Sequence, residues 1–286
     1  MIDENSKNKN ASNVRVIAAI PCFNTQDYIA DVVTKTKKYV DEVIVIDDGS
    51  TDMTADVARS AGARVISHDK NRGKGAAMKT AAESAECSIL VFIDGDGQHD
   101  PEEIPKLLEP IIQGNADFVI GSRYLVGSKL THNPLTRKTA NATASFVISC
   151  VISIIQPVSH FYSRRPLQQK THASSSGTNP KKPNYRILNG RLKWITDCTS
   201  GFTAMKKNNW NKLNLVSNGF QIETEMIFEQ SKNGFIIAEI PISCKWGETA
   251  SKLSIAKDGL KTLFLLLRKL IILPRKSNLI KEEFIR

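Results

Sequence analysis

The stretch Phe92-Ile93-Asp94-Gly95-Asp96-Gly97-Gln98-His99-Asp100, FIDGDGQHD, sets three carboxylates, an amide and an imidazole within nine residues, directly after Ile89-Leu90-Val91. Read as the end of a buried strand, it sends Asp94 and Asp96 to the same face, because side chains alternate along a strand. Glycines at 95 and 97 let the backbone turn off the sheet. Two carboxylates held side by side repel, and a cation between them relieves the repulsion. Gly and Asp are also ordinary turn residues, so this stretch alone does not separate a ligand site from a strand exit.

Its neighbours do. Val14 to Ile20 is a mostly apolar run closed by Pro21, and Glu42 to Ile46 (EVIVI) is a second, closed by Asp47-Asp48-Gly49-Ser50. Ser88 to Ile93 and Asp117 to Ile120 (DFVI) complete a set of buried strands. Helical patterns lie between and after them at Asp27 to Tyr39, Thr54 to Ala61, Gly75 to Ser84 and Asp100 to Gln113. In the last, Asp100 is placed as N-cap, Pro101 occupies the first helical position, and Glu102 and Glu103 face the positive helix end. This alternation predicts an α/β fold with a largely parallel central sheet flanked by helices. Ligands of such sheets bind beyond the carboxyl ends of the strands. Pro21-Cys22-Phe23-Asn24, Asp47-Asp48 and Asp94-x-Asp96-x-Gln98 stand at three such ends, so one site explains what three unrelated turns would otherwise have to.

The chain has 286 residues, 41% of them hydrophobic, and a formal net charge of +10. That charge sits in one segment: between Phe118 and Thr196 there is no Asp or Glu, but there are twelve Lys or Arg. Phosphate groups, an anionic lipid surface or nucleic acid would suit it. Aromatics rarely interleave these bases, which argues against a nucleic-acid stacking surface. Five scattered cysteines without CxxC spacing argue against a disulfide framework or zinc knuckle and suit a reducing compartment. Residues 1–12 read as a disordered polar tail without a signal-peptide core.

The second half reads less sharply. Ala140 to Pro157 contains an apolar helix too short for a bilayer, either a core helix or an interfacial one. Residues 159–189 form a basic, flexible insertion rich in Ser, Pro and Asn. Trp194 to Met205 and Ile236 to Trp246 look extended, and Gly219 to Gln230 helical. Ile255 to Leu273 (IAKDGLKTLFLLLRKLIIL) predicts an amphipathic helix, with Lys257, Lys261 and Arg268 on one face and Leu263, Leu267, Leu270 and Ile271 on another. Arg268 and Lys269 interrupt it too centrally for a membrane span, so a helix lying in the interface is expected.

Taken together the motifs resemble the inverting family 2 glycosyltransferases of the GT-A fold, in particular the dolichyl-phosphate and polyprenyl-phosphate mannose and glucose synthases. The resemblance is carried by Pro21-Cys22-Phe23-Asn24, Val45 to Asp52 (VIDDGSTD), Asn71 to Ala77 (NRGKGAA), Asp94 to His99 and Gly121-Ser122-Arg123. Asp197 to Phe202 (DCTSGF), Glu223-Thr224-Glu225 and Ser251-Lys252 follow in the family's order. It covers roughly residues 14 to 255 and implies a glycosyltransferase domain at 13–254 and an amphipathic, membrane-associating segment at 255–286. Thr25 stands where the family often has Glu, and the interval from Phe146 to Asp197 is longer than usual.

The resemblance also implies roles. Mg²⁺ or Mn²⁺ would be held by Asp96, with Gln98 next and Asp94 on the ribose or through water; His99 is expected to be structural. Base and ribose of a nucleotide-sugar donor would lie against Pro21, Phe23 and Asn24, with Asp47 or Asp48 accepting from the base and the other holding the turn. Lys74 would reach phosphate, although its loop lacks the P-loop spacing. Arg123 and the pair Ser251 and Lys252 would grip the acceptor phosphate and the diphosphate. Asp197 would orient sugar hydroxyls or act as base, and Glu223 and Glu225 are further base candidates if the acceptor is a hydroxyl. A polyprenyl or dolichyl phosphate acceptor needs no base, its second pKa being about 6. The expectation is a peripheral enzyme of the cytoplasmic membrane face with no nucleic-acid partner. The rivals are transfer to a soluble or glycan hydroxyl, and a non-catalytic scaffold on an inactive fold.

Overall fold

The computed structural model describes residues 14–131, 135–159, 185–188, 194–245 and 255–272. The first half forms as the sequence pattern requires: strands β1 (Val16–Cys22), β2 (Glu42–Asp47), β3 (Arg64–Ser67) and β4 (Ile89–Phe92) alternate with helices α1 (Gln26–Thr36), α2 (Thr54–Ser60) and α3 (Lys74–Ser84). β3 was not anticipated; it is a short edge strand, half exposed, whose alternation is too weak to mark it. β1 pairs in parallel with β2 on one side and β4 on the other, so the chemistry-bearing ends of all three lie together.

Pro21 was expected to end the first strand, yet β1 runs through it to Cys22. Ala19 O accepts from Ile93 N on the β4 side, and the amide position two residues on faces the same way. There β4 has already ended opposite Ala19, so the ladder loses nothing to a proline.

After β4 the chain caps itself as read. Asp100 Oδ1 accepts from Glu102 N at 3.1 Å and Pro101 opens a 3₁₀ turn (Pro101–Glu103) that leads into α4 (Ile104–Ile112). Glu103 does more than face a helix end: its Oε2 accepts from Ser243 N at 2.7 Å. Then follow β5 (Phe118–Ser122), β6 (Lys129–Thr131), α5 (Leu135–Ser159), β7 (Arg186–Ile187), β8 (Thr203–Lys206), α6 (Lys207–Trp210), α7 (Gln221–Lys232), β9 (Ile237–Pro241), β10 (Ser243–Lys245) and α8 (Ile255–Ile272).

The main sheet has the order β3-β2-β1-β4-β8-β5-β9-β7, and β6 pairs with β10 beside it. β8 is antiparallel to both β4 and β5, and β7 to β9; the remaining pairs are parallel. The alternation of β1 divides the core. Ile17 and Ala19 join Ile44, Leu90, Phe118 and the helices α3, α5 and α7 on one face. Ala18 and Ile20 join Val43, Val91 and helices α1 and α4 on the other.

Two expectations for the second half change and one open alternative is settled. Of Trp194 to Met205 only the end becomes strand, because Asp197 to Gly201 is a turn held by side chains. α5 is a core helix: Asn141, Ser145, Ile148, Ser149 and Ile152 are buried along one stripe. In α8, Leu270 packs inward and Lys269 is buried, so the exposed apolar face is Leu260, Leu263, Phe264, Leu267 and Ile271, with Lys257, Lys261 and Arg268 beside it. No described helix is long and apolar enough to cross a membrane. Residues 1–12 and nearly all of the basic insertion at 159–189 lie outside the described residues.

Candidate active site

A cavity of about 1080 Å³ opens over the carboxyl ends of β1, β2 and β4 and runs to the inner faces of α5, α7 and α8. Pro21, Phe23, Asn24, Asp48, Lys74, Asp94, Asp96, Gln98 and Arg123 all line it. Residues separated by a hundred positions in sequence thus meet in one space.

At the end formed by β1, β2 and β4 the loops are tied by the acids themselves. Asn24, with φ 51°, accepts from Thr51 N at 2.9 Å while its own amide donates to Ser50 Oγ at 2.9 Å. Asp47 does not line the cavity; its Oδ1 accepts from Ser50 N at 3.0 Å. Asp48 does line it, but both its oxygens are engaged: Oδ1 accepts from Arg72 N at 2.9 Å and meets His68 Nδ1 at 2.7 Å, and Oδ2 accepts from Gly73 N at 2.7 Å. Both members of the pair therefore hold turns, where only one was expected to. Gly73 has φ 96° and lies so close to Asn218 O that a side chain there would collide with it. Asn218 O in turn accepts from Gly75 N at 2.8 Å and Ala76 N at 3.2 Å. The first amides of α3 are thereby spent on protein, unlike those of a P-loop.

Lys74 is the cation of this end. Its Nζ lies 2.5 Å from Asp94 Oδ1 and 2.5 Å from Glu223 Oε1. Burial opposes the charge on Asp94, yet Lys74 holds that carboxyl below its usual range. Glu223, more deeply buried and facing the Asp94 charge, is pushed up to about 7 despite the same lysine. Asp96 is pushed up to about 6 by burial and by Asp94; its Oδ1 accepts from Gln98 N at 3.0 Å. Gly201 packs against the Asp94 carboxylate so closely that any Cβ would collide with it.

These residues fit a hard divalent ion. Asp94, Asp96 and Gln98 offer oxygen donors to one cavity, and the raised Asp96 marks negative charge that the protein has not neutralised. Among the described residues no group of three or more acids, His or Cys forms a complete metal site. Such an ion would need further oxygens from elsewhere, as Mg²⁺ takes from a bound phosphate. His99 does not line the cavity: it is buried, its ring packs 5.4 Å from Phe202, and burial drives its pKa down to about 4.

Arg123 and Asp197 form a buried pair. Arg123 Nε donates to Asp197 Oδ2 at 2.7 Å and Nη2 to Oδ1 at 2.8 Å, and Nη2 also reaches Thr199 O at 2.9 Å. Against its burial, Asp197 holds the guanidinium firmly charged. Asp197 is fully buried and lies outside the cavity lining, which corrects both roles expected of it. It aims Arg123 rather than a sugar or a proton. Glu225 is corrected likewise: fully buried away from the cavity, it accepts from Val216 N and Ser217 N at 2.9 and 2.8 Å and pairs with Lys269 at 2.8 Å. Ser251 and Lys252 lie outside the described residues.

The far end has a different chemistry. Ala140, Ala144 and Val147 of α5, Phe220, and Leu263 and Leu266 of α8 make an apolar wall, with Asn141, Thr199 and Asp258 set into it. Asp258 was missed. The signal was present, a lone acid in a helix otherwise apolar and basic, and Gln221 Nε2 holds it at 3.2 Å.

Comparison with known proteins agrees with this geometry. The family model described as glycosyl transferase family 2 matches residues 17–212. A UDP-N-acetylglucosamine–dolichyl-phosphate N-acetylglucosaminyltransferase of Methanococcus voltae is 31% identical over 149 residues, which are 45% of this chain and 59% of that one. An undecaprenyl-phosphate mannosyltransferase of Micrococcus luteus is 28% identical over 244 residues, 80% of this chain and 83% of that one. The crystal structure of glucosyl-3-phosphoglycerate synthase from Mycobacterium tuberculosis with Mn²⁺ and UDP-glucose has TM-score 0.59 and 20% identity, covering 89% of this chain and 79% of that one. Likeness at that identity speaks for the fold, which is GT-A.

Proposed function

Because the chain belongs to glycosyl transferase family 2, we propose that it moves a hexose from a nucleotide-sugar to a polyprenyl or dolichyl phosphate at the cytoplasmic face of a membrane, with inversion. The observation that carries this is the continuity of the cavity: oxygen donors at one end, Arg123 between, and at the other an apolar wall containing Leu263, which also belongs to the exposed stripe of α8. A phosphate headgroup held at Arg123 would leave its chain along that wall.

In this reading Pro21, Phe23 and Asn24 border the nucleoside, and Lys74 turns from Asp94 toward the diphosphate. Asp96, with Gln98 and Asp94, would hold Mg²⁺ or Mn²⁺, which would supply charge neutralisation for a departing nucleoside diphosphate. The Mycobacterium tuberculosis neighbour, crystallised with Mn²⁺ and UDP-glucose, supports an ion at this edge. Arg123, aimed by Asp197, positions the acceptor phosphate, which is mostly dianionic near pH 7 and attacks the anomeric carbon without a base. The outer face of α8, five large apolar side chains flanked by Lys257, Lys261 and Arg268, lies in the membrane interface, making 255–286 the anchoring segment of a transferase domain at 13–254. Ser251 and Lys252 remain the expected grip on phosphate.

One feature favours a second reading. Glu223 lines the cavity with its pKa pushed up to about 7, poised as a base for a hydroxyl acceptor. A screen of GDP- and UDP-sugars with Mg²⁺ or Mn²⁺, offering short polyprenyl phosphates and soluble glycans side by side, separates the two by product mass. Transfer to polyprenyl phosphate is expected; transfer to soluble hydroxyls alone would overturn the lipid reading.

A further inference from the structure

We propose that Lys269 is a positioning residue that ties the docking of α8 to the geometry of the donor end of the cavity. Lys269 points inward from a helix whose outer face is apolar, and it is 9% exposed. Its Nζ lies 2.8 Å from Glu225 Oε1 and 2.6 Å from Glu229 Oε1 on α7, and donates to Asn214 O at 2.6 Å. A buried ion triad adds little net stability compared with apolar residues of the same volume. What it does impose is direction.

The direction can be followed link by link. Glu225 holds the amides of Val216 and Ser217 at 2.9 and 2.8 Å. The next residue, Asn218, presents its carbonyl to Gly75 N and Ala76 N, and its Oδ1 accepts from Lys79 Nζ at 2.7 Å. Those amides belong to the first turn of α3, directly after Lys74, the residue that holds Asp94 and Glu223. Lys269 is thus four contacts from the donor edge, through groups that are buried or backbone. If α8 lifts, Lys269 leaves, Glu225 loses that cation while Glu229 keeps Lys232 at 3.7 Å, and the 214–218 segment that cradles the Gly-Lys-Gly turn loses its bond at Asn214 O and the fixed carboxylate that holds Val216 N and Ser217 N. An enzyme whose α8 is undocked therefore holds its donor weakly. The linkage does not depend on which acceptor is used; its binding readout rests on the donor reading given above.

The test uses the full chain with Lys269→Met, Lys269→Arg and Glu225→Gln. Amide hydrogen exchange on the nucleotide-free protein reads the linkage, and calorimetric titration with UDP and GDP in Mn²⁺ reads the donor end. In Lys269→Met, exchange should quicken at 214–218 and 74–77 while β1 and β4 keep parent protection. The nucleotide Kd should rise about three- to tenfold. Lys269→Arg should restore most of both, and Glu225→Gln should reproduce the local exchange pattern if the Met variant does not fold. Parent-like exchange in those two segments, or a uniform rise across the whole chain, would overturn the proposal. If the parent binds neither nucleotide, the donor reading fails, and the exchange pattern still decides the linkage.

Discussion

The two ends of the cavity are built on opposite principles. At the donor end nearly every polar group is already engaged: Asp48 with three partners, Asp94 with Lys74, Asn24 with the loop after β2. At the far end the wall is made of small and apolar side chains from α5, α8 and Phe220 just before α7, and the exposed stripe of α8 continues it outward. Bonded loops hold a fixed shape for a ligand of fixed chemistry, whereas an apolar wall tolerates many lengths of chain. Rigidity and permissiveness meet at Arg123, and the variants expected to matter most are those that break that junction.

The largest effect is expected from Asp197→Ala. It strips the fully buried carboxylate from Arg123 and leaves the guanidinium charged with no carboxylate at that position, a change that costs about 3–5 kcal/mol. Chemical denaturation should show that loss, and turnover should fall with it. Asp197→Asn, which keeps one acceptor, should recover part of the stability but little activity, since the bidentate aim is lost. Parent stability in the Ala variant would mean that the pair is not the strut between the two ends.

Next comes Asp96→Ala, which removes a donor-end carboxylate without removing a structural bond beyond that of Gln98 N. Turnover should drop roughly 10³-fold while the folded state is kept. Mn²⁺ titration should show weakened binding in the presence of nucleoside diphosphate. Unchanged turnover would remove the ion from this edge and leave Lys74 as the sole neutralising group there.

This contrast also explains what the sequence disclosed. The donor edge was legible because its parts sit at strand ends a few residues from recognisable apolar runs, so β1, β2 and β4 could be aligned and their termini superposed. Asp100 as a cap was legible for the same local reason. What Asp197 and Glu225 do was not, because a carboxylate's task depends on which cation it meets, and Arg123 and Lys269 come from distant elements. The face of α8 was read correctly as amphipathic, but Leu270 was grouped with the exposed stripe and Lys269 was given no face, since periodicity gives a stripe without saying where α7 will cover it. β3 escaped because an edge strand with mixed exposure has no clean period.

A smaller effect, confined to the donor side, is expected from pH. His99 is buried and neutral, with its pKa lowered to about 4 by desolvation, against an unfolded value of 6.5. Between those values the unfolded chain takes up a proton that the folded one refuses, so this group costs stability as pH falls below about 6.5 and nothing above it. At pH 5 the difference amounts to about 2 kcal/mol. His99→Asn should lose less stability than the parent between pH 7 and pH 5 in parallel urea titrations. An equal loss in both proteins would mean that the imidazole titrates in the fold.

The smallest effect tests the permissive end alone. Phe264 is 71% exposed on the outer stripe of α8, away from Lys269 and from the cavity lining. Replacing it with Ala removes apolar area whose transfer into an acyl environment contributes on the order of 1–2 kcal/mol. Vesicles containing anionic lipid should then bind the variant about tenfold more weakly in sedimentation. Nucleotide affinity measured without vesicles should stay at the parent value, because the docked face of α8 is untouched. Leu260→Ala and Ile271→Ala should behave alike, since they share that face, and Leu266→Ala should not, because Leu266 is buried against the core and lines the cavity. If Phe264→Ala left vesicle binding unchanged, the exposed stripe would have to be covered by something other than lipid. If it weakened nucleotide binding in free solution, the two faces of α8 would not be separable, and the division between a rigid donor end and a permissive far end would fail at that helix.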